Sequence, residues 1–188
     1  MVTHPTQSYF WGPYSRACAW TALATFVADQ AHKAWMLLGM GIRDLGRVSV
    51  TPFLDYVFVL NRGVSYGLFV TAGQWLLTIF ALATALGLWI WVARSGSGRL
   101  MGTSLGLIIG GALGNALDRV LHGGVVDYFS LHAFGFYWYV FNIADAAIVA
   151  GVLGLMYESL MENRRRKDAS NTAQDGAGAT ASGDDRRG

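Results

Sequence analysis

Charged residues are scarce in this chain of 188 residues, because Asp, Glu, Lys and Arg make up only 14% of it while 53% is hydrophobic. Such a composition is too apolar for an ordinary soluble domain and is typical of a membrane protein. The net charge is only +2, and apart from the run Arg164–Lys167 the basic residues are scattered along the chain. The chain therefore lacks the basic footprint of a nucleic-acid-binding protein, and no nucleic acid is expected as a partner.

Cysteine occurs once, at Cys18, so neither an internal disulfide nor a cysteine-based metal cluster can form. A free cysteine in an apolar segment is usually a buried thiol, which is our interpretation of Cys18. His122 and His132 flank Asp127, but no helical histidine pair or second carboxylate completes a metal site there. We therefore predict no metal and no cofactor, and we place both histidines in a solvated outer loop over about residues 122–136.

Apolar runs of about 20 residues, the length that a spanning helix requires, occur four times. The predicted spans are about 17–40, 68–93, 100–117 and 138–161. They form a membrane domain over 16–163, preceded by a cytoplasmic lead-in over 1–15. The remainder, 164–188, is predicted to be a basic and then disordered cytoplasmic tail, because it opens with Arg164–Lys167 and continues with Gly, Ala, Ser and Asp.

The segment between the first two spans differs from them in amino-acid composition. Residues 49–60 are rich in β-branched and aromatic side chains and include a proline, which predicts a strand rather than a span. The polar stretch 61–67 follows as a turn. In the third span, glycines recur every four positions from Gly102 to Gly114, a spacing that lets helix backbones approach closely. The predicted fold is mainly α-helical, with four transmembrane helices and a small β-structure between helices 1 and 2.

The distribution of basic residues beside the spans predicts the orientation. With both termini in the cytoplasm, seven basic residues near the spans lie inside and five lie outside. In this topology a set of polar residues from four separate segments converges on the outer face: Asp29, Asn61, Asn115, Asp118, Asp127, Asn142 and Asp145. Ionisable groups at membrane depth are costly and usually mark a functional site.

Two of these polar groups repeat the same spacing. Asn115 and Asp118 are three residues apart, as are Asn142 and Asp145, so each pair lies on one helix face. Two carboxylates that meet in a partly dry site cannot easily both ionise, which leaves one base and one acid for water-mediated peptide hydrolysis. The alternative is that such residues cap helices and hold the bundle together, as single polar residues in membranes commonly do. The pair Asp29 and Lys33 equally fits a simple interfacial anchor.

Two functions other than hydrolysis by aspartates fit the sequence less well, a serine hydrolase and a proton-coupled transporter or channel. Residues 63–67 match G-x-S-x-G around Ser65, but that motif activates serine only in an α/β-hydrolase sheet, which does not fit four spans. A proton-coupled transporter or channel subunit would use the same aspartates as a relay and would need a polar path to the cytoplasm. Glu158, close to the cytoplasmic end of the fourth span, is the only charged residue in the inner halves of the predicted spans, which argues against it.

Five blocks of the chain, in order, resemble the signal peptidase II family, the prolipoprotein signal peptidases. They are Asp29-Gln-x-x-Lys33, Asn61-x-Gly63, Gly110-Gly-Ala-Leu-Gly-Asn-Ala-Leu-Asp-Arg119, Gly124-Val-Val-Asp127 and Phe141-Asn-Ile-Ala-Asp145. The resemblance extends over about residues 17–160, and the last three blocks are the most specific.

The resemblance implies an intramembrane aspartyl endopeptidase of the bacterial inner membrane, with an outward-facing β-cradle and no cofactor. Its expected partners are membrane lipid and prolipoproteins, whose signal peptides it would remove by cutting before the diacylglyceryl-modified cysteine; no oligomer is expected. The family's catalytic pair falls on Asp127 and Asp145. Its supporting positions fall on Asp29, Lys33, Asn61, Gly111, Asn115, Asp118, Arg119 and Asn142.

The chain departs from the family pattern at two places. His32 stands where the family usually has threonine, and Val64, Ser65 and Tyr66 stand where it has Ala-Ala-Phe. We assign both places to substrate-facing regions, so the departures concern contacts of the cradle rather than the catalytic pair.

Overall fold

A computed structural model describes residues 10–63, 70–94 and 98–184 of the chain. Four long helices and a sheet of four strands make up this part. The helices are α1 (Ser15–Ala34), the single turn α2 (Ile42–Leu45), α3 (Val70–Arg94), α4 (Arg99–His122) and α5 (Ile143–Asp184), and the strands are β1 (Val48–Thr51), β2 (Leu54–Asn61), β3 (Val125–Ala133) and β4 (Phe136–Phe141).

Three helices in the described ranges are long and apolar enough to cross a membrane, namely Gly73–Arg94, Arg99–His122 and Ile143–Ala169. They correspond to the second, third and fourth predicted spans. The fourth long helix, α1, continues through a π-helical segment at Trp35–Gly39 and so covers the predicted first span. It is not among the three because Asp29 and Lys33 near its end make it less apolar.

Helix α4 is the centre of the bundle, since it packs against α1, α3 and α5. Its glycine stripe faces α1, as the spacing predicted. A β-carbon on Gly106 would lie 2.6 Å from the Cys18 carbonyl oxygen, and one on Gly114 would lie 2.6 Å from Oδ2 of Asp29. The Cys18 thiol is fully buried in this contact, which confirms its interpretation.

Replacing Gly106 by alanine is expected to destabilise the protein by about 1–3 kcal/mol, because the added methyl group overpacks the α1–α4 contact. Gly87 on α3 provides the matched control, since a β-carbon there meets nothing within 4 Å. Its replacement by alanine removes a helix-weakening glycine and should raise stability by up to about 1 kcal/mol. The midpoint of thermal unfolding in detergent measures both changes, and equal effects at the two positions would contradict the packing argument.

The sheet is antiparallel with strand order β1-β2-β3-β4. In the register of β2 and β3, Asn61 lies opposite Val125 and Val59 lies opposite Asp127. The prediction of a β-structure between helices 1 and 2 was therefore only half right, because β3 and β4 come from the segment between α4 and α5. That segment is β-branched and aromatic, as a strand requires, but its aromatic residues resembled a membrane-interface belt.

This pairing corrects two predicted boundaries. The expected loop over 122–136 does not exist as such: His122 is the last residue of α4, and His132 lies on β3. The fourth span was predicted to begin at residue 138, but β4 continues to Phe141 and the helix begins at Ile143.

The C-terminal segment also differs from its prediction. Helix α5 runs on to Asp184, whereas the chain after Lys167 was predicted to be disordered. An Arg166–Glu162 ion pair of 2.5 Å, with i,i+4 spacing, supports the helix just past the apolar part. Ser65, whose G-x-S-x-G match was rejected above on fold grounds, lies outside the described residues, as do Val64 and Tyr66.

Candidate active site

Asp127 lies on β3, close to the end of α4. Helix α4 ends where Gly123 adopts a left-handed conformation with φ +67°, and β3 starts two residues later. The Asp127 side chain is 1% exposed. Its carboxylate accepts hydrogen bonds from Nδ2 of Asn61 at 3.0 Å and from Nδ2 of Asn142 at 2.7 Å. The pleat and register of the sheet thus bring an asparagine from β2 and another from the start of α5 onto this carboxylate.

Asp145 belongs to the first turn of α5, where Asn142 caps the helix. The backbone N–H of Asp145 donates to Oδ1 of Asn142 at 2.9 Å, and the N–H of Asn142 donates to Oδ2 of Asp145 at 3.4 Å. This reciprocal pair is a capping box, and the three-residue spacing seen in the sequence is the spacing it needs. The capping interpretation is therefore compatible with a functional one, because the cap fixes the position of the Asp145 carboxylate.

Two amides connect the two carboxylates. Nδ2 of Asn142, which binds Asp127, also lies 3.1 Å from Oδ1 of Asn115. Nδ2 of Asn115 in turn donates to Oδ1 of Asp145 at 2.8 Å. Asp127 and Asp145 are thereby joined in one hydrogen-bond network that runs from β3 through α5 and α4.

A buried lysine lies behind this network. Nζ of Lys33 is 2.7 Å from Oδ2 of Asp29 and 2.7 Å from Oδ2 of Asp118, and it donates to Oδ1 of Asn115 at 3.3 Å. The residue is 3% exposed, and both aspartates are 1% exposed or less. The i,i+4 pair predicted in α1 is present, but it is an internal three-residue ion cluster rather than an interfacial anchor.

The same two aspartates hold the elements that carry the site. Oδ1 of Asp29 accepts the backbone N–H of Ala144 in the first turn of α5 at 3.0 Å. Oδ2 of Asp118 accepts the backbone N–H of Val126, next to Asp127, at 3.0 Å. Asp29 favours α5 also through its charge, since anions stabilise helix N-termini. Lys33 therefore connects α1 and α4 to both segments that bear the candidate catalytic carboxylates.

Two further residues support the site and were not predicted from the sequence. Nε2 of Gln30 lies 3.1 Å from Asp29, 3.1 Å from Asp118 and 3.2 Å from the Gly114 carbonyl oxygen, so it crosses between α1 and α4. The sequence did contain a signal for Gln30, since a glutamine in an apolar helix needs hydrogen-bond partners. The hydroxyl of Tyr128, which is fully buried, accepts the N–H of Ile143 at 3.3 Å. Burial raises the pKa of this phenol, so it stays neutral.

The remaining predicted residues lie close to the network without binding either carboxylate. A β-carbon on Gly111 would lie 2.5 Å from the Ala144 carbonyl oxygen, so this glycine lets α5 approach α4. Nη1 of Arg119 donates to the Asn115 carbonyl oxygen at 3.1 Å, one turn back on its own helix. The structure thus brings all ten predicted residues to one end of the bundle, grouped around Asn115.

His32, the departure from the family pattern on α1, packs among aromatic rings. It stacks on Tyr128 with ring centroids 4.6 Å apart, and Tyr56, Phe129 and Trp35 surround it at 5.4–6.1 Å. This cluster joins α1 to the inner part of the sheet. His32 therefore belongs to the junction between α1 and the sheet.

The pKa of Asp127 is raised from an ordinary value of 3.8 to about 6. Burial is the main cause, because it removes water from the carboxylate, and the negative charge of Asp145 adds to it. Hydrogen bonds from Asn61 and Asn142 oppose the shift. A carboxyl group that titrates near neutrality beside a second carboxylate can share one proton with it, which is the arrangement of an acid–base pair.

Because the folded pKa of Asp127 lies above the unfolded value, protonation favours the folded protein below about pH 4, and this benefit is lost as the pH rises through about 6. At pH 8 the buried charge destabilises by up to about 3 kcal/mol. Asp127→Asn should therefore unfold at a higher temperature than the unmodified protein at pH 8, and this advantage should disappear at pH 4.

Asp55 on β2 is the matched control for that pH dependence. Its pKa is lowered, chiefly by the hydrogen bond from Arg47 at 2.5 Å and also by Ser49 and His132. Its charge therefore contributes stability above its ordinary pKa, and Asp55→Asn should destabilise the protein at pH 8. Stabilisation by both substitutions, or by neither, would contradict the pKa assignments.

A groove of about 700 Å³ opens beside Asp145. Its upper rim consists of Asn61, Tyr139 and Phe141, and its wall follows one face of α5 through Ala146, Val149, Ala150 and Leu153. The Tyr139 hydroxyl accepts a hydrogen bond from Nδ2 of Asn61 at 2.9 Å. The groove is apolar along the membrane-crossing helix and polar only at the end where Asp145 lies.

The family model described as Signal peptidase (SPase) II matches residues 21–161, which include every residue of the network. The lipoprotein signal peptidase of Methylorubrum extorquens is 52% identical over 141 residues, covering 73% of this chain and 82% of that protein. The lipoprotein signal peptidase of Methylobacterium radiotolerans is 49% identical over 158 residues, covering 82% of this chain and 92% of its own.

The fold is also similar to that of a solved bacterial membrane enzyme. The TM-score is 0.69 at 26% sequence identity, and the match covers 81% of this chain and 97% of the other.

Proposed function

The chain belongs to the signal peptidase II family, and on that premise we propose that it is an aspartyl endopeptidase that cuts prolipoproteins before their diacylglyceryl-modified cysteine. The observation that carries the proposal is the network in which Asn142 and Asn115 link Asp127 to Asp145. Two carboxylates from different elements are held in one partly buried place, and a groove along α5 leads to one of them.

The reaction begins with a water molecule held between the two carboxyl groups, which share one proton. The ionised group removes a proton from the water as the water oxygen attacks the carbonyl carbon of the residue before the modified cysteine. The protonated group donates a hydrogen bond to the carbonyl oxygen, where negative charge develops. When the C–N bond breaks, the departing amine takes a proton from the pair, and the two carboxyl groups again hold one proton between them.

The asparagines orient this pair. Asn61 and Asn142 occupy both oxygens of Asp127 with N–H donors, and Asn115 occupies one oxygen of Asp145. A carboxylate fixed in this way loses less freedom when it binds the water, which is how preorganisation lowers a barrier. Asp29 and Asp118 act one step further away, since each binds the backbone beside a catalytic residue, and Lys33 pairs with both of them.

The groove along α5 suits a substrate that stays in the bilayer. Its wall is formed by small and aliphatic side chains of a membrane-crossing helix, and its end is polar. An apolar signal-peptide segment or acyl chain can lie against the wall while the scissile bond reaches Asp145. We accordingly propose an inner-membrane location with both termini in the cytoplasm and the active site at the outer face.

A proton relay through a transporter would need titratable groups along the bundle. In the part of the chain that the structure describes, the buried carboxylates are Asp29, Asp55, Asp118 and Asp127, all at the end of the bundle where the sheet lies. The buried polar residues toward the other end are Ser15, Thr25 and Ser104, which do not carry charge. This distribution supports a reaction at one end over transport across the membrane.

The test is a gel-shift assay with purified protein and a diacylglyceryl-modified prolipoprotein, beside the same prolipoprotein without its lipid. We expect cleavage of the lipidated protein alone, on the N-terminal side of its cysteine, without sensitivity to chelators or serine reagents. Cleavage at another bond, or inhibition by a chelator, would refute the proposed reaction. No cleavage of a well-lipidated substrate by a folded protein would refute the peptidase itself.

A further inference from the structure

A second groove of about 700 Å³ lies at the end of the bundle opposite Asp127. It is formed where the beginning of α1 meets the beginning of α4. The lining side chains are Trp11, Arg16, Ala17, Ala19, Trp20, Leu23 and Arg99. None of these residues takes part in the network around Asn115, so the site described above does not account for the groove.

Of the described residues that line the groove, two carry guanidinium groups and none carries a carboxylate. Arg16 lies in the first turn of α1 and Arg99 is the first residue of α4. Within residues 10–63, 70–94 and 98–184, no carboxylate lies within ion-pair distance of either guanidinium. The neighbouring groove, which Arg99 also borders, is different because Glu158 and Glu162 lie there beside Arg165.

The apolar walls of the groove are fixed in place. The Trp11 ring packs edge-on against Trp89 of α3 with ring centroids 5.9 Å apart. Helices α1 and α4 touch at the floor, where a β-carbon on Gly102 would lie 3.1 Å from Cβ of Tyr14. Trp20 is 70% exposed and Leu23 is 51% exposed, and both continue the groove up α1 into the apolar part of the helix.

We propose that this groove binds an anionic phospholipid in the leaflet opposite the proposed active site. The lipid phosphate lies between Arg16 and Arg99, because guanidinium groups bind phosphate oxygens with paired N–H donors. One acyl chain lies along Trp20 and Leu23. The ligand must be both anionic and apolar, since the groove offers two unpaired cations at one end and an uncharged wall beyond them. The proposal does not depend on the proposed cleavage reaction.

Native mass spectrometry in detergent micelles tests it, with equal amounts of dioleoylphosphatidylglycerol and dioleoylphosphatidylcholine. Each arginine near an anionic lipid contributes about fivefold in affinity, so the two together predict roughly a 25-fold preference for the anionic lipid. The double variant Arg16→Gln, Arg99→Gln should lose most of this preference. Arg16→Lys with Arg99→Lys should keep much of it, which also establishes that substitution at these positions leaves the groove folded.

Arg165→Gln is the control, because it removes one arginine charge from the same end of the protein but from the groove that contains glutamates. We expect it to leave the preference unchanged. An unchanged preference in the arginine-to-glutamine double variant, or an equal loss in the control, would overturn the proposal. Competition by millimolar glycerol phosphate would also overturn it, because the ligand would then be a free phosphate compound rather than a lipid.

Discussion

Replacing Asp127 by asparagine is expected to lower the rate of prolipoprotein cleavage by about 10³-fold or more. An asparagine keeps the size of the side chain, but it neither takes a proton from water nor shares one with Asp145, and positioned acid–base groups are worth about 10²–10⁴ each. The amide still accepts a hydrogen bond from Asn142, so the surrounding network should remain. Single-turnover cleavage of a lipidated prolipoprotein measures the rate without interference from product release.

Asp145→Asn should produce a loss of the same size, and combining the two substitutions should add little. Groups that act as one unit give strongly non-additive effects, since removing either partner already abolishes their common step. Because Asp127→Asn also removes a buried charge at pH 8, its inactivity cannot be attributed to a less stable fold if the unfolding temperature rises.

Asp55→Asn serves as the control for activity. Asp55 is as buried as Asp127 and lies on the adjacent strand, but it is bound to Arg47, Ser49 and His132 away from the asparagine network. Its replacement should change the cleavage rate by less than about threefold, as expected for a residue outside a catalytic unit. Near-normal cleavage by Asp127→Asn or Asp145→Asn would refute their proposed roles, and Asp118 would then be the next carboxylate to test.

The sequence indicated which polar residues come together better than it indicated the fold around them. Polar residues in an apolar chain are few, and each must find partners, so Asp29 and Asn115 could be placed at the outer face with the other polar residues, whereas the Asp29–Lys33 pair fitted an interfacial anchor equally well. The glycine stripe of α4 similarly predicted a close helix–helix approach, and the structure shows that its partner is α1, which Gly106 and Gly114 contact.

The β-strands were harder to predict because they are pairings between distant segments. Val125–Ala133 pairs with Leu54–Asn61, more than 60 residues earlier, and no local pattern states that partnership. The aromatic residues of Phe136–Phe141 fit a strand as well as a membrane-interface belt, so the start of the last helix was placed several residues too early. The capping box at Asn142 marks the true start, and the N-x-x-D spacing was the available signal.

The contacts that Asp29 and Asp118 make with Lys33 and with the backbone could not be derived from the sequence either. Asp29 binds Lys33 through Oδ2 and the backbone N–H of Ala144 through Oδ1, whereas Oδ2 of Asp118 binds both Lys33 and the backbone N–H of Val126. Spacing predicts that residues share a helix face, but not which backbone group of a third element they will contact. Only the packed structure gives this connection between the ion cluster and the proposed catalytic residues.

Replacing Lys33 by methionine is expected to destabilise the protein by about 3–5 kcal/mol at pH 8, since it leaves two buried carboxylates without their cation. Methionine retains the length of the apolar stem, so the loss reports on charge rather than on packing. The free energy of unfolding, from titration with SDS in mixed micelles, measures the change. Arg166→Met is the control, because the exposed Arg166–Glu162 pair contributes less than about 1 kcal/mol.

Neutralising the carboxylates separates this explanation from a general loss of packing. If the unpaired charges of Asp29 and Asp118 cause the destabilisation, adding Asp29→Asn and Asp118→Asn to Lys33→Met should recover more than half of the lost stability, because removing a whole buried ion cluster costs less than breaking it. Cleavage should stay impaired in the triple variant, since asparagines bind Ala144 and Val126 more weakly than carboxylates do and β3 and α5 lose their fixed positions. A triple variant less stable than Lys33→Met alone would mean that the carboxylates hold the helices together without the lysine.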